Sequence, residues 1–408
     1  MNILFIHEID WIEKPVLDIH FIAEGLSLRG HRVYAIDYAD TWGKDKLSGR
    51  GSLRTKEYDG ISRAFAGSSV TVRRPGFIRI PILSRISASI THYLEIRRTI
   101  KEKDIDAIVL YSVPTNGLQA VYLARKFNIP IVFRSIDILN MLVPNAILSS
   151  VTMLLEKKIY SSVDAVLPNT PQYQKYVESM GADKTKLKYL AFPVDTGLFH
   201  PLDSDPELRK KWELKDNDRV IVFIGTLFNF SGLDDFIRAF PALLKEVPVA
   251  KLLIVGDGVQ RNRLEEIIAK ENLEASVTIT GFQPYQTMPQ YINLADVCIN
   301  TFTINKDTID VFPAKIMQYV ACGKPTVATE LRGIKTILPG ETHGVIYVKN
   351  AEAMVKEVIS LLKSEKRRKD IGNAGYNRIK DRFSYKIISE ELETILKNMI
   401  KEKRGDSR

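Results

Sequence analysis

The stretch Asp310-Val-Phe-Pro-Ala-Lys-Ile-Met-Gln318 brings an acid, a proline, a lysine and an amide together within nine residues. Proline's fixed φ suits the first turn of a helix, and glycine closes one, so a helix is predicted from Pro313 to Gly323. Its free amides near Phe312 and Ala314, with the helix dipole behind them, make an anion site that suits a phosphate. Asp310 falls at the mouth of this helix and Gln318 about one and a half turns inside, so both can reach one extended ligand. An acid and an amide both bind hydroxyls.

The elements that position this loop follow a regular alternation. Short apolar runs at Ile3–Ile6, Val33–Asp37, Ala107–Leu110, Ile131–Phe133 and Ala165–Leu167 alternate with helical spacing such as Ile19, Ile22, Ala23, Leu26. The alternation restarts at Val220–Ile224, Leu252–Val255, Val277–Thr280, Val297–Thr301 and Thr326–Ala328. Parallel strands with helices between them imply an α/β chain of two doubly wound, Rossmann-like domains facing a cleft, with ligands outside the carboxyl ends of the strands. The length of 408 residues fits two cores rather than one. We place the first domain at 1–200, a Pro- and Asp-rich linker at 201–218, the second domain at 219–382, and at 383–408 a terminal helix packing back toward the first.

Composition narrows the partners. The net charge of +9 is carried by Lys44 to Lys103, with 14 Lys/Arg against 5 Asp/Glu, including Arg73, Arg74, Arg79, Arg85, Arg97 and Arg98. Ile138 to Leu155 holds 18 residues without a charge, broken by Pro144 and Asn145, so it reads as a buried helix or a lipid-touching surface rather than a span. Both segments fit an anionic membrane surface or a lipid-linked acceptor better than a specific nucleic acid. Cys298 and Cys322 sit in apolar contexts and give no disulfide framework, and the N-terminus reads as a strand, so a cytoplasmic location is expected. The sequence lacks Gly-x-x-x-x-Gly-Lys-[Ser/Thr], Cys/His metal spacing and a Gly-x-Ser-x-Gly elbow, so neither metal nor cofactor is called for.

With these residues in view, the chain resembles the retaining glycosyltransferases of family 4, of GT-B architecture. The likeness is carried by Arg29-Gly-His-Arg-Val33, Pro193-Val-Asp-Thr-Gly-Leu-Phe-His-Pro201, Val255-Gly-Asp-Gly258, Gly281-Phe282, Ala295-Asp296-Val297 and the Asp310 to Thr329 stretch, in that order. It implies a nucleotide-sugar donor as substrate, with Asp310 near the sugar and Gln318 near the ribose, at places where the family has two glutamates. The family's basic diphosphate clamp is replaced by Thr226 and Ser231, so either another cation compensates, with Lys315, Lys306 and Lys14 as the candidates, or the activity is weak or absent. The donor set is completed by Phe282, Phe312 and Ala314, with base contacts around Gly281. Asp137, preceded by Ile136 where the family often has histidine, and His20 are candidates for contact with sugar or acceptor, or for capping and packing. The expected activity is hexosyl transfer to a lipid-linked or glycan acceptor. The alternatives are a catalytically silent partner with this fold and, further off, a nucleotide-sugar epimerase.

Overall fold

The computed structural model describes residues 1–39, 51–80, 83–143, 146–306, 308–309 and 311–405. It comprises two compact units, Met1–Pro193 with Tyr385–Arg408, and Val194–Ser384. Asp310 lies outside the described residues, as do Pro144, Asn145 and the basic Lys44, Lys46 and Arg50.

The first unit runs β1 (Asn2–Ile6), α1 (Asp18–Leu28), β2 (Arg32–Ile36), β3 (Lys56–Ile61), β4 (Val70–Arg74), α2 (Leu83–Glu102), β5 (Ala107–Leu110), α3 (Gly117–Lys126), β6 (Ile131–Ser135), α4 (Ala146–Tyr160), β7 (Ala165–Pro168) and α5 (Pro171–Ser179). The sheet order is β3-β4-β2-β1-β5-β6-β7, parallel except for β3 against β4. The apolar runs Ile3–Ile6 of β1, Ile131–Phe133 of β6, and those of β5 and β7 are buried, as strands covered on both faces must be. β3, Lys-Glu-Tyr-Asp-Gly-Ile, is a largely exposed edge, and its polar composition hid it from the apolar pattern. The basic segment is also less available than expected. Arg73 is buried against Glu57, Glu95 and Glu102, and Arg74 pairs with Asp10 and Asp37, so neither faces a partner.

The second unit runs α6 (Pro206–Lys211), β8 (Arg219–Ile224), α7 (Leu233–Glu246), β9 (Ala250–Val255), α8 (Arg261–Lys270), β10 (Val277–Gly281), α9 (Met288–Leu294), β11 (Val297–Asn300), α10 (Ala314–Ala321), β12 (Thr326–Thr329), α11 (Arg332–Lys335), β13 (Val345–Val348), α12 (Ala351–Lys363) and α13 (Glu365–Arg382). Its sheet, β10-β9-β8-β11-β12-β13, is parallel throughout. The last helix, α14 (Tyr385–Arg404), belongs to the first unit, where it packs on α1. Gly25 makes that approach close, since a β-carbon there would lie 2.1 Å from Ser389 Oγ.

The expected linker at 201–218 is corrected. It holds α6, capped by Asp205 and opened by Pro206, and it clusters with the second unit. The division falls earlier, after Pro193, because Val194 donates to the Phe383 carbonyl at 2.7 Å and Leu202 donates to Asn293 Oδ1 at 3.1 Å.

Candidate functional site

In the second unit the loops after β8, β9 and β11 converge, and glycines allow the approach. A β-carbon on Gly256 would fall 2.1 Å from the Gly225 carbonyl oxygen, one on Gly258 2.7 Å from Leu227 N, and one on Gly232 2.1 Å from the Thr301 oxygen. Gly225 to Ser231 is thereby fastened between its neighbours: Leu227 donates to the Asp257 carbonyl at 3.0 Å and Thr303 to the Phe230 carbonyl at 2.9 Å.

α10 begins beside this loop. Pro313 is its N-cap, one position before the first helical residue, and Gly323 closes it at φ +68. Lys315, in the first turn, reaches inward. Its ammonium sits 4.0 Å from the Phe223 ring centre and 4.5 Å from that of Phe302, and 2.7 Å from where a Gly225 β-carbon would stand. Burial pushes it down to about 7. One turn on, Tyr319 Oη accepts the Ile224 amide at 2.7 Å, tying the helix to the end of β8. Gln318 is half-buried and donates to Tyr285 Oη at 3.4 Å. Both amide atoms of Asn300, fully buried at the end of β11, have no hydrogen-bond partner among the described residues.

The remaining donor candidates are placed as follows. Phe312 and Ala314 are half-buried at the start of α10, and Thr226 is exposed one residue past Gly225. Phe282 is 82% exposed just beyond β10, the strand paired with β9. Ser231 departs from expectation. It is buried, and its carbonyl accepts the Thr301 hydroxyl, so it fastens the loop instead of facing a ligand. Lys306 is exposed before the helix, and Lys14 is half-buried in the first unit. Phe223, Phe302, Tyr319, Tyr285 and Asn300 were missed. The signal for Tyr319 was its i+4 spacing from Lys315; for Asn300 it was an amide closing an apolar strand.

In the first unit His20 is not available to a ligand, which corrects its candidacy. It is fully buried, its Nδ1 accepts the Leu17 amide at 3.0 Å, and its Nε2 faces the Trp11 carbonyl at 3.0 Å. The ring caps α1 as the neutral tautomer with hydrogen on Nε2, and burial lowers it to about 4. Asp137 is exposed two residues past β6. Although solvent reaches it, the protein around it raises its carboxyl, and the charge of Asp18 adds to the effect. Beneath lies a cluster unseen in the sequence. Arg134, buried in β6, grips Asp18 Oδ2 at 2.7 Å and the Ala191 carbonyl at 3.0 Å, while Tyr111 Oη donates to Asp18 Oδ1 at 2.8 Å. Among the described residues no three His, Cys, Asp or Glu side chains gather to hold a metal.

Two open sheets wound on both faces, the second with a glycine-built loop cradle and a helix start beside it, define the GT-B class of fold. Models of two domains match, "Glycosyl transferase 4-like domain" over residues 18–192 and "Glycosyl transferases group 1" over 204–378. The chain belongs to this glycosyltransferase family. It is 23% identical to the capsular polysaccharide biosynthesis glycosyltransferase CapM of Staphylococcus aureus, over 62% of this chain and 67% of that one. It is 27% identical, over 59% and 64%, to a GDP-mannose-dependent monoacylated alpha-(1-6)-phosphatidylinositol monomannoside mannosyltransferase of Corynebacterium glutamicum. The chain spans about half to two thirds of the length of the curated relatives it matches. Among solved structures, Anabaena Alr3699/HepE in complex with UDP superposes with a TM-score of 0.72 at 18% identity, covering 98% of this chain and all of that one.

Proposed function

We propose that this protein transfers a hexose from a nucleoside-diphosphate sugar to a lipid-linked or glycan acceptor with retention at the anomeric carbon, and needs no cofactor. The observation that carries the reading is the Lys315 ammonium, brought from α10 against Gly225 where the family's clamp has no basic counterpart in the β8 loop. A departing diphosphate gains charge in the transition state, and a fixed cation beside a helix N-terminus stabilises it where it forms. Thr226 adds a hydroxyl at the same loop. The resemblance assigns Asp310 to the sugar, and on this reading Gln318 and Tyr285 serve the ribose and Phe282 the base. The named relatives and the UDP complex support a nucleotide-sugar donor, and the mannosyltransferase's acceptor, by its name a phosphatidylinositol mannoside, supports a lipid-linked one.

The test is a panel of nucleotide sugars scored for thermal protection and slow hydrolysis. Protection by one nucleotide that Lys315→Ala weakens at least tenfold supports the reading. Protection by none favours a catalytically silent partner.

A further inference from the structure

Three helices of the first unit share one face of its sheet. α2, α3 and α4 connect successive strands in the same direction, from β4 to β5 to β6 to β7, and each packs on the next. Gln119 on α3 donates to Ser89 on α2, and the Tyr93 and Tyr122 rings meet at 6.4 Å. Since each helix follows a parallel strand, all three run the same way. Their N-termini lie at the strand-carboxyl edge, where ligands bind in open α/β sheets.

Each helix exposes the same pattern along its outer side. On α2 the exposed Leu83, Ile86, Ile90 and Leu94 recur at helical spacing, and the stripe continues into exposed Arg97 and Lys101. On α3 Leu118 and Tyr122 lead into Arg125 and Lys126. On α4 Ile147 at 76%, Val151 at 48% and Leu154 at 63% exposure lead into Lys157 and Lys158. The apolar halves therefore align beside the ligand edge, and the basic last turns align at the other.

The charge on these helices is one-sided. They carry eight Lys/Arg, namely Arg85, Arg97, Arg98 and Lys101 on α2, Arg125 and Lys126 on α3, and Lys157 and Lys158 on α4. Against these stand three acids, and Glu95 and Glu156 are buried while Glu102 is held by Arg73 and Arg98. Exposed apolar area this broad marks a binding surface. A protein partner would meet the apolar rows, but Arg85 is paired with Glu8 and Arg98 with Glu102, and the exposed Arg97, Lys101, Arg125, Lys126, Lys157 and Lys158 on the same face are what anionic headgroups neutralise.

We infer that the outer face of α2, α3 and α4 is a docking surface for an anionic lipid bilayer, with the apolar side chains in the interface and the basic last turns on the headgroups. This deepens the proposed transfer by making the acceptor one presented from a membrane, and it rests on that reading only for what is glycosylated there. No described helix is long and apolar enough to cross a membrane, so the surface lies on the bilayer.

The experiment is flotation of the full chain with phosphatidylglycerol-containing and with pure phosphatidylcholine vesicles, at low and high salt. Binding to the first alone, lost at high salt, is expected. The double variant Ile90→Glu, Leu154→Glu should bind at least tenfold more weakly, and Lys126→Glu, Lys157→Glu roughly fivefold more weakly per reversed charge. Both should keep the wild-type melting temperature and the thermal protection by nucleotide. The salt arm needs no variant and stands even if one fails to fold. Absence of binding to anionic vesicles, binding indifferent to salt, or a concentration-dependent dimer that the Glu variants dissociate while vesicle binding is absent would each overturn the inference. Nucleotide protection with no vesicle binding sinks the surface alone; vesicle binding with no nucleotide protection sinks the transferase reading alone.

Discussion

The Lys315 ammonium occupies the space that a side chain on Gly225 would fill, at 2.7 Å from the β-carbon position. Gly225, at φ +140, is thus required both by its own backbone and by the lysine that crosses it. Gly225→Ala should push the flexible ammonium aside and weaken nucleoside diphosphate binding about tenfold, a loss of roughly 1.4 kcal/mol, as read by calorimetry. A variant that binds like the wild type would separate the lysine from the donor site.

Donor binding should depend on pH through the same lysine. Burial holds Lys315 near 7, well below its usual value, so above that pH the ammonium loses its proton. An incoming diphosphate favours the charged form, and binding then takes up a proton. Affinity should fall as pH rises from about 7 to 9, by up to roughly tenfold per unit. Lys315→Met should bind weakly at every pH and show a flat profile.

Asp310, expected to face the transferred sugar, is tested by activity. Asp310→Ala should abolish sugar transfer to acceptor, while the melting temperature and nucleotide-induced protection stay within experimental scatter of the wild type. Retained transfer would remove the acid from the mechanism.

Three histidines should make the fold acid-sensitive. His7 and His92 are lowered to about 3 and His20 to about 4, each mainly by burial, so all are neutral when folded and take up protons on unfolding below about 6.5. Stability should drop as pH falls from 6.5 to 5, by at most about 1.4 kcal/mol per unit for each, with the raised carboxyls of Asp137 and Glu156 opposing the trend. Urea midpoints across this range check it. His20→Gln should reduce the slope by one proton and leave the pH profile of transfer unchanged.

Arg134 and Asp18 neutralise each other in the core of the first unit. Arg134→Met strands a buried carboxylate and should destabilise by about 3–5 kcal/mol. Asp18→Asn added to it should restore part of that loss, because the amide carries no charge to desolvate. Chemical denaturation of the single and double variants measures the coupling.

Strand positions with continuous apolar runs were legible because both faces of a parallel strand are buried, as in Ala107–Leu110 and Leu252–Val255. β3 and α6 were not, since an exposed edge strand and a capped two-turn helix bury too little to leave a periodic signal. In the donor loop, the order Gly225, Gly256–Gly258, Gly281 and Pro313–Gly323 marked the turns and the helix that build it. The role of Ser231 was misread, because its spacing says nothing about which side of the loop it faces.

What the sequence determined by itself was therefore the alternation of elements, the family pattern, and the helix that follows Pro313, all of them local or periodic properties of the chain. Only the tertiary structure decided that Lys315 turns inward between Phe223 and Phe302, that His20 spends both nitrogens on Leu17 and Trp11, and that three helices line up their apolar and basic halves. Each of these depends on residues distant in sequence meeting across a sheet, and the direction in which a side chain points there is set by packing rather than by its own type.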